Sequence, residues 1–186
     1  MKKDIQQPKK QPEMIRKRIL EQSIILASEK GTSHISIQNI ANGVGISKGG
    51  VFHHFANKQI LIEAMITEII DHLDRKVESL IANDKIEYGK LTRAYINITF
   101  ISEIDGLISP WSALAMTMIT DHTFNAMFGK WFQDKLKYYT TTDHHPELAL
   151  IRLATDGLWL QSITGIINSV SCLQYKNDLI QRTYLT

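Results

Sequence analysis

Apolar residues recur along this chain with a helical period, and alternation of apolar and polar positions between turn signals is missing, so the pattern predicts an all-α protein. Ile15, Ile19, Leu26 and Ala27 share one face of a first helix over 13–30, which Gly31 is placed to end in a left-handed cap. Ser36 is a good N-cap for a short second helix in which Ile37, Ile40, Ala41 and Val44 follow at i, i+3, i+4 and i+7. Ser47 caps a third helix over 48–55, with Ile46 positioned to pack onto Val51. Asn57 then caps a long amphipathic run to about Ala82, carrying Leu61, Met65, Ile69, Leu73, Val77 and Leu80 on one side. At helical rise that run is roughly 37 Å long, enough to connect two subdomains. Further helices are predicted at about 86–103, 110–121, 124–140, 146–167 and 173–184, with Pro110 and Pro146 at first helical positions. No internal repeat is apparent.

Only Val44-Gly45-Ile46 separates the second and third helices, and a glycine turn that tight sets two short helices at a steep angle, which is helix-turn-helix spacing. The expected organisation is a basic disordered tail over 1–12, a helix-turn-helix domain over 13–57 and a second helical domain over 58–186.

The formal net charge of +2 conceals an asymmetry: residues 1–60 hold ten Lys/Arg against four Asp/Glu, a net of +6, and the remainder eleven against fifteen, a net of −4. The basic third is the candidate polyanion-binding part. The charge of the tail, with Lys2, Lys3, Lys9 and Lys10, either joins in that binding or merely solubilises. Apolar residues make up 44% and charged residues 22% of the chain, sufficient for a sizeable core and against wholesale disorder. No apolar run is long enough to span a membrane, and the N-terminus lacks an apolar signal region, so neither a membrane nor a conventional secretory role is expected. Cys172 stands alone, which excludes an intrachain disulfide or a cysteine-based zinc cluster and fits a reducing cytoplasm.

In a helix-turn-helix the second helix offers its exposed positions to the major groove. With Val51 and Phe55 pointing inward, Ser47, Lys48, Gly49, Gly50, Phe52, His53 and His54 are the groove-facing candidates. Lys48 can donate to guanine or phosphate, Phe52 can touch a thymine methyl or a sugar, and the histidines can donate to phosphate oxygens. Gly49 and Gly50 allow close backbone approach. Each lowers helix propensity by about 1 kcal/mol relative to Ala, which stability alone does not justify. Ser36 and Gln38 at the start of the preceding helix, and Lys58 at the start of the long one, are placed to clamp the DNA backbone on either side.

Residues 15–65, about a quarter of the chain, resemble the DNA-binding domain of the TetR family of bacterial one-component regulators. The resemblance rests on Ile19 through Gly31, on Ser36-Ile37-Gln38-Asn39-Ile40-Ala41, on the run from Gly45 through Phe55, and on Asn57-Lys58-Gln59-Ile60-Leu61. A weaker likeness, Arg152 through Leu160, is similar to a dimerising helix of one TetR subgroup. The family usually has a phosphate-contacting tyrosine where this chain has Phe52, and acids near Asn39 and Gln59. What the resemblance implies is a cytoplasmic homodimer on double-stranded, palindromic operator DNA, and a C-terminal ligand-binding and dimerisation domain. A small effector there would relieve repression through the long helix.

The resemblance makes a pocket hypothesis of Tyr95, Phe100, Trp111, Met116, Met118, Phe128, Trp131 and Phe132, and suggests a hydrophobic or amphipathic effector. It implies a four-helix dimer interface from about 146–165 and 173–184, with Gly157 and Gly165 for close approach and Leu153, Leu160 and Ile163 for packing. Three readings separate: an effector-controlled repressor, a DNA-binding regulator of the same fold answering to a protein partner or acting constitutively, and a small helical enzyme. The third finds no nucleophile elbow, phosphate loop, dinucleotide fingerprint or zinc-protease motif, so no catalytic residues and no cofactor are assigned. His72, Asp121-His122 and His144-His145 lack ligand spacing, and no metal site is expected.

Overall fold

A computed structural model gives the structure of residues 10–101, 115, 119 and 121–184. The described residues form helices joined by turns and loops, as the periodicity predicts, with no strand among them. They divide into two compact units, one holding residues up to Ile69 together with 115, 119 and 121–125, the other 70–101 with 126–184.

In the first unit α1 (Lys10–Lys30) starts three residues before the predicted position, taking 10–12 out of the expected tail. Pro12 is tolerated there because the first helical turn has no intrahelical acceptors for its N–H groups. Ile19 and Ala27 are fully buried on its inner face. Gly31 ends the helix at φ 82, ψ 161, so the left-handed cap expected there is not formed. The chain instead makes one 3-10 turn, Thr32–His34, whose His34 amide donates to the Gly31 carbonyl at 3.1 Å. This turn delivers Ile35 into the core and Ser36 to its capping position.

Helix α2 (Ile37–Val44) opens with the Asn39 amide donating to Ser36 Oγ at 3.1 Å and buries Ile40, Ala41 and Val44. Gly45 takes the left-handed conformation at φ 78, and the amides of Gly45 and Ile46 both donate to the Ala41 carbonyl. Arg18 of α1 donates to the Val44 carbonyl at 2.7 Å, so the end of α2 is closed from its neighbour as well. Helix α3 (Lys48–His54) follows, and α4 (Lys58–Ala82) starts at the cap that Asn57 Oδ1 gives the Ile60 amide at 2.9 Å. Leu61, Met65 and Ile69 of α4 lie in the first core, and Leu73 and Val77 in the second.

In the second unit α5 (Lys90–Thr99) is shorter than predicted, and α6 (His122–Tyr138), a single turn α7 (Thr140–Asp143), α8 (Pro146–Ile163) and α9 (Ser169–Arg182) complete the described helices. Of the helix expected over 110–121 only 115, 119 and 121 are described, with Ala115 helical and its carbonyl accepting from the Ile119 amide at 3.0 Å; the rest lies outside the described residues. Gly89, at φ 74, provides no capping side chain for α5. Asp143, 2% exposed, takes over that role from the far end of α7, accepting from the Leu91 and Thr92 amides at 3.1 and 2.8 Å and from Thr92 Oγ1 at 2.6 Å. Arg93, also buried, spans the preceding loop: it donates to Asp84 at 2.6 Å, to the carbonyls of Ile86 and Tyr88, and to Thr183 Oγ1 at 3.2 Å. A Cβ on Gly89 would sit 3.2 Å from the Thr183 carbonyl oxygen and 3.1 Å from Arg93, so both space and φ require glycine there. Ile96, Leu148 and Ile151 form the core of α5 and α8, with Tyr88, Phe100, Leu179 and Ile180 packed around it.

Asp143→Ala leaves two buried amides without an acceptor and should destabilise the protein by about 2–4 kcal/mol in urea or thermal unfolding. Asp143→Asn, which keeps one acceptor oxygen, should lose less. Equal stability of the alanine variant and the parent would refute the capping role.

Candidate nucleic-acid interface

Ser47 Oγ accepts from the Gly50 amide at 3.1 Å and so fixes the first turn of α3; the Phe55 amide closes its last turn onto the Val51 carbonyl at 3.0 Å. Val51 and Phe55, four residues apart and therefore on one helical face, are 0% and 1% exposed. The opposite face carries Lys48, Gly49, Phe52 and His53 into solvent, Phe52 with 48% of its surface exposed, while Gly50 and His54 are partly covered. An added Cβ at Gly49 would meet nothing nearer than Ser47 Oγ at 3.7 Å, and one at Gly50 would make ordinary contacts of 3.5 Å with Ile46. Packing within the chain therefore demands glycine at neither position. The bare surface of Gly49 faces outward, where a second molecule can use it.

The flanking candidates fall on the same unit. Ser36 and Ser47 use their oxygens as helix caps and retain a hydroxyl proton to donate. Gln38 Nε2 donates to Asn42 Oδ1 at 2.6 Å on the exposed side of α2, and Lys58 is exposed at the first position of α4. The amides standing where acids are common are both engaged: Asn39 Nδ2 donates to the His34 carbonyl at 3.4 Å, and Gln59 Nε2 to Glu63 at 3.0 Å. Arg16, which the periodicity of α1 marks only as a polar position, sits with its guanidinium 4.7 Å from the Phe55 ring centroid. His53 and His54 meet edge to face with ring centroids 5.3 Å apart. Burial, then the neighbouring His53, then Arg16 push the His54 imidazolium below the ordinary histidine range.

The aromatic candidates of the second unit separate into two places. Tyr95 and Phe132 pack with ring centroids 4.8 Å apart, and Phe128 and Trp131 join Phe132 at 6.4 and 6.0 Å. Tyr95 Oη donates to Asp156 at 2.5 Å and Trp131 Nε1 to Asp74 at 2.6 Å. Burial raises the Tyr95 phenol above its usual range, and the Asp156 carboxylate beside it adds to the shift. Phe100 lies apart from this cluster, against Leu173 and Lys176 in a cleft between the end of α5 and α8 and α9. Trp111, Met116 and Met118 lie outside the described residues. On α8 and α9, Leu153, Leu160 and Leu173 are 66%, 51% and 59% exposed, Gly157 faces open space, and Ile163 is half-buried. Among the described residues no group of three or more His, Cys, Asp or Glu side chains is arranged to hold a metal ion, and no helix is long and apolar enough to cross a membrane.

The sequence family described as bacterial regulatory proteins, tetR family, matches residues 19–65, and the tetracyclin repressor-like C-terminal domain matches 89–170; together they take in more than half of the chain. The chain is 21% identical over 145 residues to the HTH-type transcriptional repressor KstR2 of Rhodococcus jostii (strain RHA1), covering 78% of this chain and 61% of that protein. It is 32% identical over 68 residues to the HTH-type transcriptional regulator BetI of Pectobacterium atrosepticum, covering 37% of this chain and 35% of that one. The matched stretches thus span less than two thirds of these curated relatives. Among solved structures, a transcriptional regulator from Saccharomonospora viridis in complex with choline superposes with a TM-score of 0.69 at 17% identity, covering 91% of this chain and 96% of that one. The multidrug binding protein EbrR complexed with malachite green gives 0.66 at 15% identity, covering 90% and 96%. These two likenesses are of fold.

The His54 ring should titrate below the ordinary histidine range in NMR, and Arg16→Gln should move its midpoint upward. Because the folded-state midpoint is depressed, His54 contributes stability that is present above the unfolded midpoint and lost as pH falls through the folded one. An unshifted His54 midpoint in the parent protein would contradict the crowding of cations seen here.

Proposed function

Because this chain belongs to the TetR family of bacterial regulators, we propose that it is a sequence-specific DNA-binding transcriptional repressor whose operator binding is relieved by a small hydrophobic effector. The observation that carries this reading is α3: a helix fully buried beneath, at Val51 and Phe55, and free above, at Lys48, Gly49, Phe52 and His53.

In this reading Lys48 reads a guanine edge or a phosphate, Phe52 contacts a thymine methyl or the sugar, and the glycines bring the backbone against the duplex. Ser36, Gln38, Ser47, His53, His54 and Lys58 hold the phosphates on both sides, with Arg16 supporting from α1. A phenylalanine at position 52 forgoes the hydroxyl donor that a tyrosine would bring, so the remaining donors carry the backbone grip. The exposed Leu153 and Leu160 of α8 and Val170 of α9 serve a homodimer, which places two copies of α3 on a palindromic site. The effector belongs to the second unit. Support for it comes from relatives of the same fold that have been seen with malachite green and with choline. Binding a state that does not fit DNA is sufficient for such an effector to act.

DNA selected from a random library tests this directly. The affinity of the selected site should fall at least about a hundredfold between roughly 50 and 200 mM salt, and Lys48→Ala should weaken it by about 5- to 100-fold without altering the melting temperature. A flat salt response, or a Lys48→Ala variant that binds as the parent does, would count against the reading. Gly49→Ala gives a sharper contrast: the folded protein should hold or gain up to about 1 kcal/mol, because the added methyl clashes with nothing and comes no nearer than 3.7 Å to Ser47 Oγ, while DNA affinity drops. Unchanged DNA binding by that variant would show that close backbone approach is not used.

A further inference from the structure

The second unit contains a cleft of about 340 Å³ whose lining includes Phe100, Ser162, Ile167, Cys172, Leu173 and Lys176. Its volume lies at the lower end of the about 300–1,000 Å³ typical of small-molecule sites. Three of its walls are apolar, from Phe100, Ile167 and Leu173. Polar groups enter at two points. One is the first turn of α9, whose N-cap Asn168 accepts from the Ser171 amide at 2.9 Å and whose end carries positive partial charge. The other is Lys176, two turns along the same helix and half-buried, with its ammonium 6.0 Å from the Phe100 ring centroid.

Lys176 differs from the other well-covered cations of this unit. Lys135 pairs with Asp74 at 2.7 Å and with Glu78, Arg93 pairs with Asp84 at 2.6 Å, and Arg152 lies 4.0 Å from Asp143. No carboxylate among the described residues lies within 4.0 Å of Lys176, and burial pushes its ammonium below the ordinary lysine value. A half-buried cation in an apolar cleft is stabilised by a counter-ion, and the chain provides none among the described residues. An anion attached to an apolar body would satisfy the ammonium and the walls together.

We propose that this cleft binds an amphipathic organic carboxylate, its head paired with Lys176 and its chain laid along Phe100, Ile167 and Leu173. The site deepens the effector reading above and rests on that reading for its regulatory consequence, although it shares only Phe100 with the aromatic set nominated from sequence. Carboxylate binding itself stands apart from DNA control.

Decanoate is the probe, with 1-decanol as its uncharged counterpart at concentrations below the alcohol's solubility. By calorimetry decanoate should bind the parent protein at least about tenfold more tightly than 1-decanol. Lys176→Met should weaken it about tenfold and Lys176→Arg by no more than about threefold. Location is read at Cys172, the single cysteine of the chain, which lines the cleft and is partly exposed. Saturating decanoate should slow its alkylation by iodoacetamide at least about fivefold, a measurement that needs no variant and so survives a misfolded one. No decanoate binding, equal affinity for the alcohol, undiminished binding by a folded Lys176→Met variant, or a Cys172 that decanoate does not protect would each overturn the site. Release of the selected DNA is followed separately. Binding and protection without release would keep the carboxylate site and remove its role as the effector site, whereas loss of DNA binding in the absence of decanoate would bear on the regulator reading alone.

Discussion

A seven-residue helix containing two glycines does not persist in water by itself, since isolated helices shorter than about 12–15 residues are marginal even in good sequences. Helix α3 therefore depends on the burial of Val51 and Phe55, which contributes roughly 1.5–3 kcal/mol for each side chain against about 1 kcal/mol lost at each glycine. The cap from Ser47 adds about another 1 kcal/mol. With the helix held from below, the residues above it are released from any duty in folding. That division lets Lys48, Gly49, Phe52 and His53 be chosen for what they touch outside the chain.

How far the sequence was legible follows from the range of the interactions involved. In the first unit the determinants are local: Ser36, Ser47 and Asn57 each cap a helix within three residues, and Gly45 turns at the position its neighbours predict. The boundaries of α2, α3 and α4 are readable for that reason. The 3-10 turn after Gly31 is not, because Gly31 could equally well serve a left-handed cap, and the choice is made by the need to bury Ile35. The proximity of Arg16 to Phe55 and His54 is a contact between helices, which periodicity within α1 does not reveal.

In the second unit the determinants are remote. Helix α5 begins at Lys90 and not near 86, because its capping carboxylate comes from Asp143 and the residues before it wrap around Arg93. Helix α8 stops at Ile163, with Gly165 at φ 73 beyond it, and α9 starts at Ser169 under a cap from Asn168. That last signal, Asn-Ser-Val-Ser, is present in the sequence and is outweighed by the apolar run around it. The aromatic candidates part for a geometric reason. Tyr95 and Phe100 are five residues apart, a rotation of about 140° on a helix, so Tyr95 turns to Phe132 while Phe100 turns to α8 and α9.

The net negative charge after residue 60 is likewise informative only once positions are known. Read as a sum, it says that this part is not built for DNA; read in place, it shows acids positioned as internal partners for Lys135, Arg93, Arg152 and Tyr95. In a unit held together by such pairs, the ammonium of Lys176, with no carboxylate beside it among the described residues, is the place where the proposed anion would add most. The cleft takes its lining from the end of α5, from α8 and α9 and from the turn between them, and α8 and α9 are the helices whose exposed Leu153, Leu160 and Val170 would face a second copy in the proposed homodimer. An occupant that prefers one spacing of α8 and α9 would alter the dimer surface without touching α3. It needs only differential affinity for the two arrangements, about 1.4 kcal/mol for each tenfold change in their ratio.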